Sequence, residues 1–417
     1  MHSPNLLPVD PDRLTAIAKK WGTPTYVYSE KAIRDQCRKL TGLFSDVPVS
    51  WLYAVKANDN PHIVRVIAEE GLGFDTVSFE EALLCLELGT DPGDIFYTEN
   101  NMTEAEMNGA VEEGIVLNIG SVDRLKAFCE QWPGTSCSIR LKPDIGDGHH
   151  VKVDTGNIDS KFGIRMDLID EVIALAESHK VTIRGLHAHI GSGIQKPENL
   201  IYELNVLLEA SGKFKDLEFL NFGGGIPIPY RSGDPEFDVE RFAEMASERF
   251  RTHLEESGKP LRFYFEPGRW IVGASGILLA EVTTVKDQGR KTFLGTNTGF
   301  NHLLRPALYD AYHEVINISA GDDEPRNIYD IAGNICESGD ILAAGRSLPE
   351  TNTGDILAIL DAGAYGMTMA SSYNRRALPA EVMVTEQGFH KTIRSRKSAR
   401  QTVREFLNDT GVATDND

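Results

Sequence analysis

Lys56 closes a mostly apolar run, Ser50-Trp51-Leu52-Tyr53-Ala54-Val55-Lys56, and Ala57-Asn58-Asp59-Asn60-Pro61 follows it. A half-buried lysine loses solvation of its charged form, its pKa falls, and the free amine becomes a nucleophile able to form a Schiff base. Taken alone, the residue reads first as a strand-end lysine reaching past its stem into water. Two later stretches bear on the choice, Gly223-Gly224-Gly225 and Glu266-Pro267-Gly268-Arg269. Consecutive glycines let backbone N–H groups meet an anion without side-chain obstruction. An ionised carboxylate such as Glu266 could keep a pyridine nitrogen protonated, so that the ring accepts electrons.

These residues need a frame. The spacing of apolar runs predicts eight strands alternating with helices: Val47 to Ala57, Gly73 to Val77, Asp94 to Thr98, Ile115 to Ile119, Ser136 to Leu141, Thr182 to His189, Leu217 to Phe222 and Arg262 to Phe265. Ser78 with Glu81, and Thr103 with Glu106, have capping-box spacing at helix starts. An open doubly wound sheet would want a glycine-rich loop after its first strand; Lys56-Ala57-Asn58 offers none, so the pattern favours an α/β chain built on a (β/α)8 TIM-like barrel. Beyond residue 276 the period changes to two, at Leu278 to Val285, Lys291 to Leu294, Asn327 to Ala332, Ile356 to Leu360 and Ala380 to Val384. The expected organisation is a barrel over 30–276 and a mainly-β domain made of 1–29 and 277–417, which the Thr25 to Tyr28 strand joins. The polar tail from Asn408 to Asp417 is expected to fray.

In such a barrel, chemistry sits after the strands. Those positions hold Lys56, Asp75, Glu99 with Asn100, Arg140, His189, the triple glycine, Glu266 and Arg269. Singly, each has a bland role: Asp75 as a helix cap, Arg140 in an ion pair, His189 as a core histidine, the glycines as a turn. Jointly they fall on one face, and loops after the seventh and eighth strands are the usual phosphate site. An aldehyde-holding lysine, a phosphate cradle and an acid for a ring nitrogen point to pyridoxal 5'-phosphate.

Composition narrows the setting. A net charge of −20 leaves no basic stripe for nucleic acid. A hydrophobic share of 41% and a charged share of 25% are those of a globular protein. No apolar run approaches membrane-spanning length and the start lacks a signal-like pattern, so a cytoplasmic protein without membrane partners is expected. The five cysteines show no metal-binding spacing and no metal is expected; Cys37, Cys85, Cys129 and Cys137 look like small buried hydrophobes, with Cys336 apart.

Several motifs then occur in order: Tyr53-Ala54-Val55-Lys56-Ala57-Asn58, His189-Ile190-Gly191-Ser192-Gly193, the triple glycine with Pro229-Tyr230, Glu266-Pro267-Gly268-Arg269, Cys336-Glu337-Ser338-Gly339-Asp340 and Asp361-Ala362-Gly363-Ala364-Tyr365-Gly366. From about Thr23 to Arg396 the chain resembles the alanine-racemase-fold (fold type III) pyridoxal-phosphate-dependent decarboxylases, and within them the diaminopimelate decarboxylases.

The resemblance implies Lys56 as the cofactor lysine and His189 stacked on its ring. It places Ser192, Gly224, Gly225, Gly268 and Arg269 at the cofactor, and Tyr365 reaching phosphate and substrate from a second subunit. Arg269, Arg305 and Tyr309 would hold the substrate's distal carboxylate, Glu337 its distal ammonium, and Cys336 would donate the proton. The implied reaction is decarboxylation of meso-2,6-diaminopimelate to L-lysine and carbon dioxide by a homodimer with shared sites, the last step of lysine biosynthesis. A decarboxylase of ornithine, lysine, arginine or carboxynorspermidine, and a non-catalytic binding paralogue, are the alternatives. On residues alone, Cys336 reads as a buried free thiol and Arg305 as half of a surface pair. The family often has aspartate near Asn297 and asparagine near Lys142; this chain departs at both.

Overall fold

The computed structural model describes residues 7–143, 160–321 and 323–412. The chain divides into two compact units, one made of Arg34–Pro229 and Pro235–Ile271, the other of Met1–Ile33, Tyr230–Asp234 and Val272–Asp417. The Tyr230–Asp234 segment goes with the second unit.

The first strand, β1 (Thr25–Ser29), belongs to the second unit. The first unit is a closed parallel barrel of eight strands: β2 (Val49–Ala54), β3 (Gly73–Thr76), β4 (Ile95–Thr98), β5 (Val116–Ile119), β6 (Ser136–Lys142), β8 (Thr182–His187), β9 (Phe219–Asn221) and β10 (Arg262–Phe265). A two-residue strand, β7 (Ile164–Arg165), pairs alongside the end of β6. Phe263 opposite Val49 and Phe265 opposite Trp51 close the ring.

The helices begin where the chain supplies caps. Ser78 Oγ accepts the Glu81 N–H, and Thr103 forms the full reciprocal box with Glu106. Such a cap is worth ~1 kcal/mol. Glu81 departs from the expected box: its carboxylate takes the Val77 N–H at 2.9 Å instead of that of Ser78. The helix Val239–Ser257 seals the outside of β10, where Phe250 stacks on Phe263 at 3.8 Å between centroids.

The second unit is built on β11 (Gly276–Asp287), long enough to serve two sets of partners. Its first half pairs with β1 and β16 (Ile356–Ile359); beyond an irregularity between Val282 and Thr284 it pairs with β12 (Thr292–Thr296). β12 leads to β14 (Asn327–Ala332) and β15 (Ile341–Leu348), β1 to β17 (Ala380–Val384) and β18 (His390–Arg394), and β13 (Val315–Asn317) pairs with β16. Val27, Ile277, Leu279, Ala358 and Val382 form its core with Leu14 and Ile17 of the helix Pro11–Trp21. Strands β13, β15 and β18 were not expected from sequence. Nor was the helix Ala399–Asp409, which Ser398 and Gln401 cap reciprocally, so Asn408 and Asp409 are helical and not frayed. The last five residues of that tail, and most of the glycine-, aspartate- and histidine-rich stretch after β6, lie outside the described residues.

Candidate active site

Alternate residues of each barrel strand point inward. Leu52, Phe96, Val116 and Phe219, with Tyr264 against them, fill the amino-terminal half of the interior, where Phe96 and Tyr264 lie 4.9 Å apart. Gly185 leaves room for Phe219, whose ring lies 2.1 Å from where a Cβ at 185 would stand. Two residues on, the same faces carry polar groups: Thr98, Asn118, Asn221 and Glu266, all buried. Each buried polar group must find a partner or cost stability. Ser138 Oγ donates to Asn118 Oδ1 at 2.8 Å and Asn118 Nδ2 to Thr98 Oγ1 at 3.3 Å.

Lys56 sits one residue into the single turn Val55–Ala57 that ends β2, with its side chain 36% exposed. Its Nζ donates to Oδ2 of Asp75, whose side chain is 1% exposed at the end of β3. Asp75 is therefore no helix cap; Ser78 does that work. Burial raises the Asp75 carboxyl, Glu266 adds to this, and Lys56 pulls it back. Asp75 Oδ1 is buried without a hydrogen bond.

Glu266, two residues beyond Tyr264 on the inward face, is buried and doubly held. His187 Nε2 lies 3.1 Å from Oε2, and Asn221 Nδ2 donates to Oε1 at 2.7 Å. Burial alone would raise this carboxyl; His187 and Lys56 outweigh it and hold it well below the usual carboxylate range. Each oxygen has a second lone pair for a further donor. His189 is pushed the other way, to about 3, first by burial and then by the charge of Arg140, so its imidazole is neutral. Its Nδ1 accepts the Gly224 N–H at 3.3 Å. Arg140 is buried with its guanidinium 4.6 Å from the Phe162 ring centre. Glu99 serves the backbone, accepting the N–H groups of Asn101 and Gly120 at 2.8 and 2.9 Å.

Three loops converge where the glycines stand. A Cβ at Gly224 would lie 2.2 Å from the Glu266 carbonyl oxygen, and one at Gly225 2.6 Å from that of Gly191. Gly225 also has φ +118°, which other residues rarely adopt. Its carbonyl accepts the N–H groups of Gly193 and Ile194, which ties in the loop bearing Ser192. Arg269 Nη2 donates to Ser192 Oγ at 3.3 Å. At Gly268 a Cβ would press on Ala54 and Ala57, beside Lys56. The first unit thus gathers Lys56, His189, Ser192, Gly224, Gly225, Glu266, Gly268 and Arg269, and these fit pyridoxal 5'-phosphate: an amine for the aldehyde, a fixed anion for the ring nitrogen, and a backbone cradle cleared of Cβ atoms for the phosphate.

Arg305, Tyr309, Cys336, Glu337 and Tyr365 lie in the second unit. Arg305 opens the short helix Arg305–Tyr309 and is 2% exposed, so it is not half of a surface pair. Cys336 is exposed, unlike the four other cysteines, which are buried; it is no buried thiol. Its N–H donates to Asn374 Oδ1 at 3.2 Å, and Tyr373 Oη donates to Glu337 Oε1 at 2.7 Å. Asp340 steadies this loop, accepting the N–H groups of Ile335 and Phe300 at 2.7 and 2.6 Å. Tyr365 is half-buried with φ +55°.

Sequence reasoning passed over His187, Asn221 and Asp340. The signal for His187 was its place two residues before His189 in one strand. Both departures have structural uses. Asn297 Nδ2 donates to Thr23 Oγ1 at 2.7 Å while its Oδ1 accepts the Glu281 N–H, and Lys142 Nζ donates to the Ser160 carbonyl at 3.1 Å.

Residues 30–273 match the family model described as pyridoxal-dependent decarboxylase, pyridoxal binding domain. The chain is 40% identical to a diaminopimelate decarboxylase of Methanothermobacter thermautotrophicus, over 93% of this chain and 92% of the relative. It is 34% identical to one of Escherichia coli strain K12, over 95% and 96%. A crystal structure of diaminopimelate decarboxylase superposes with a TM-score of 0.88 at 32% identity, covering 96% of this chain and 97% of the other. The Helicobacter pylori enzyme complexed with L-lysine does so at 0.86 and 29%, covering 95% and 100%. With an amine paired with a buried acid, a fixed anion and a glycine cradle in its barrel, and with these likenesses over nearly its whole length, the chain belongs to the pyridoxal-dependent decarboxylase family, among its diaminopimelate decarboxylases.

Proposed function

We infer that this chain decarboxylates meso-2,6-diaminopimelate to L-lysine and carbon dioxide, with pyridoxal 5'-phosphate as cofactor, as the last step of lysine biosynthesis. The observation that carries the reading is the pair of buried carboxyl groups at the barrel mouth, Asp75 on Lys56 and Glu266 on His187 and Asn221. The bound cofactor supplies an electron sink for the departing carboxylate's electron pair. Lys56 would hold it through the amine, Glu266 would keep the ring nitrogen protonated, and neutral His189 would lie against the ring face. Ser192, Gly224, Gly225 and Gly268 would take the phosphate with backbone and hydroxyl donors.

Arg269, Arg305 and Tyr309 receive the distal carboxylate, and Glu337 the distal ammonium. Cys336 returns a proton from its thiol to the α carbon and is refilled from water. In this reading the protein is a homodimer, and Cys336, Glu337 and Tyr365 serve the barrel of the other copy.

The test is to incubate purified protein and pyridoxal 5'-phosphate with meso-diaminopimelate, lysine, ornithine, arginine and carboxynorspermidine. Lysine formed from diaminopimelate, at a kcat/KM above that for the other four, is expected. Colourless protein, or a faster reaction with one of the others, overturns the reading.

A further inference from the structure

Arg305 is held by groups that the reaction itself does not require. Its Nη1 donates to His313 Nε2 at 2.9 Å, and His313, wholly buried, has Nδ1 2.7 Å from the Leu360 carbonyl oxygen. A carbonyl only accepts, so Nδ1 carries the hydrogen; Nε2 is then the acceptor, and an arginine, which only donates, meets it correctly. The chain of bonds therefore runs one way, from guanidinium to imidazole to carbonyl. An imidazolium would set donor against donor.

The third member is Tyr230. Its ring lies 4.6 Å from Arg305 Cζ and meets His313 edge-on, with centroids 5.6 Å apart at 75°. The imidazole fixes the guanidinium at one nitrogen, and the aromatic face fixes its tilt. The support is itself rigid. β13 and β16 pair through Val315 and Ile359, and the Leu360 N–H donates to the Glu314 carbonyl at 2.9 Å, on either side of the histidine's anchor.

A bidentate carboxylate needs a guanidinium held in a fixed plane, and the His313 bond and the Tyr230 face together fix that plane.

We propose that His313, seated against Tyr230, is the positioning residue that orients Arg305 and so sets the preference for ligands with a distal carboxylate. The proposal rests on the reading that Arg305 receives that carboxylate.

The test uses the holoenzyme, with inhibition by L-lysine, which carries a carboxylate, compared with cadaverine, which does not. His313→Phe keeps a ring but loses both bonds; KM for meso-diaminopimelate and Ki for L-lysine are expected to rise about tenfold, with kcat changed less than about threefold. Ki for cadaverine and the cofactor's visible absorbance should hold. In His313→Gln the amide can donate to Leu360 and accept from Arg305, and both constants should return to within about threefold of wild type.

Equal weakening of L-lysine and cadaverine, an unchanged KM in His313→Phe, or no rescue by glutamine overturns the proposal. If His313→Phe does not fold, Tyr230→Leu replaces it, with the same selective rise expected and an unchanged KM decisive against. Wild-type protein is assayed first. Failure to turn over meso-diaminopimelate there overturns the functional reading and this one with it, whereas an active wild type with an indifferent His313→Phe overturns this one alone.

Discussion

His187 Nε2 stands 3.1 Å from Glu266 Oε2, with side chains 2% and 5% exposed. The acid that should face the cofactor nitrogen is thus already stabilised as an anion by the protein. Glu266→Gln removes the charge and keeps the shape, so kcat should fall about a hundredfold while the cofactor still binds. His187→Phe should cost less, about tenfold, because Asn221 and Lys56 still favour the anion. Steady-state rates and the visible spectrum of both variants check the order; equal losses would contradict it.

Lys56→Ala should abolish the visible band of the reconstituted protein and lower turnover by at least about a thousandfold. Added pyridoxal 5'-phosphate should then be lost on gel filtration. A retained band would mean that another amine holds the cofactor.

The Gly224→Ala prediction is steric. The new Cβ would fall 2.2 Å from the Glu266 carbonyl oxygen, a backbone atom that cannot swing away. Overpacking of this kind costs about 1–3 kcal/mol. Thermal melting with and without cofactor should show a lower Tm and a smaller shift on adding pyridoxal 5'-phosphate.

Burial pushes the Glu81 carboxyl up to about 7, with the Val77 N–H and Lys56 opposing. The fold favours the protonated form, so its contribution is complete below the unfolded value of about 4.5 and is lost as pH rises through about 7. Glu81→Gln stays neutral and can still accept from Val77. It should match wild type at pH near 4 and be more stable by about 1–2 kcal/mol at pH near 8. Denaturant titrations at the two pH values test this, and a constant difference would refute it.

Cys336→Ala should slow turnover by about a hundredfold or more and leave cofactor absorbance untouched, since the thiol donates a proton and takes no part in holding the cofactor. Unchanged turnover would remove the thiol from the reaction.

The barrel was legible because its signals are local. Each strand is short and apolar, and capping residues such as Thr103 and Ser78 mark helix starts. Lys56, His189 and Glu266 were legible as strand-end positions. Their partners were not: Glu266 meets His187 across β9, and no local pattern reports which polar residues become neighbours when a ring closes. β15 was missed because Ala343-Ala344-Gly345-Arg346 has little of the β-branched or aromatic character that marks strands. The burial of Arg305 is likewise a property of the assembled β unit.

The barrel interior changes character between Tyr264 and Glu266, within two residues of one strand. Closure of the ring depends on the greasy plug below that line, and reactivity on the charged collar above it. Substitutions in the collar can therefore be explored in evolution or in the laboratory at little risk to folding, provided that hydrogen-bond partners change together.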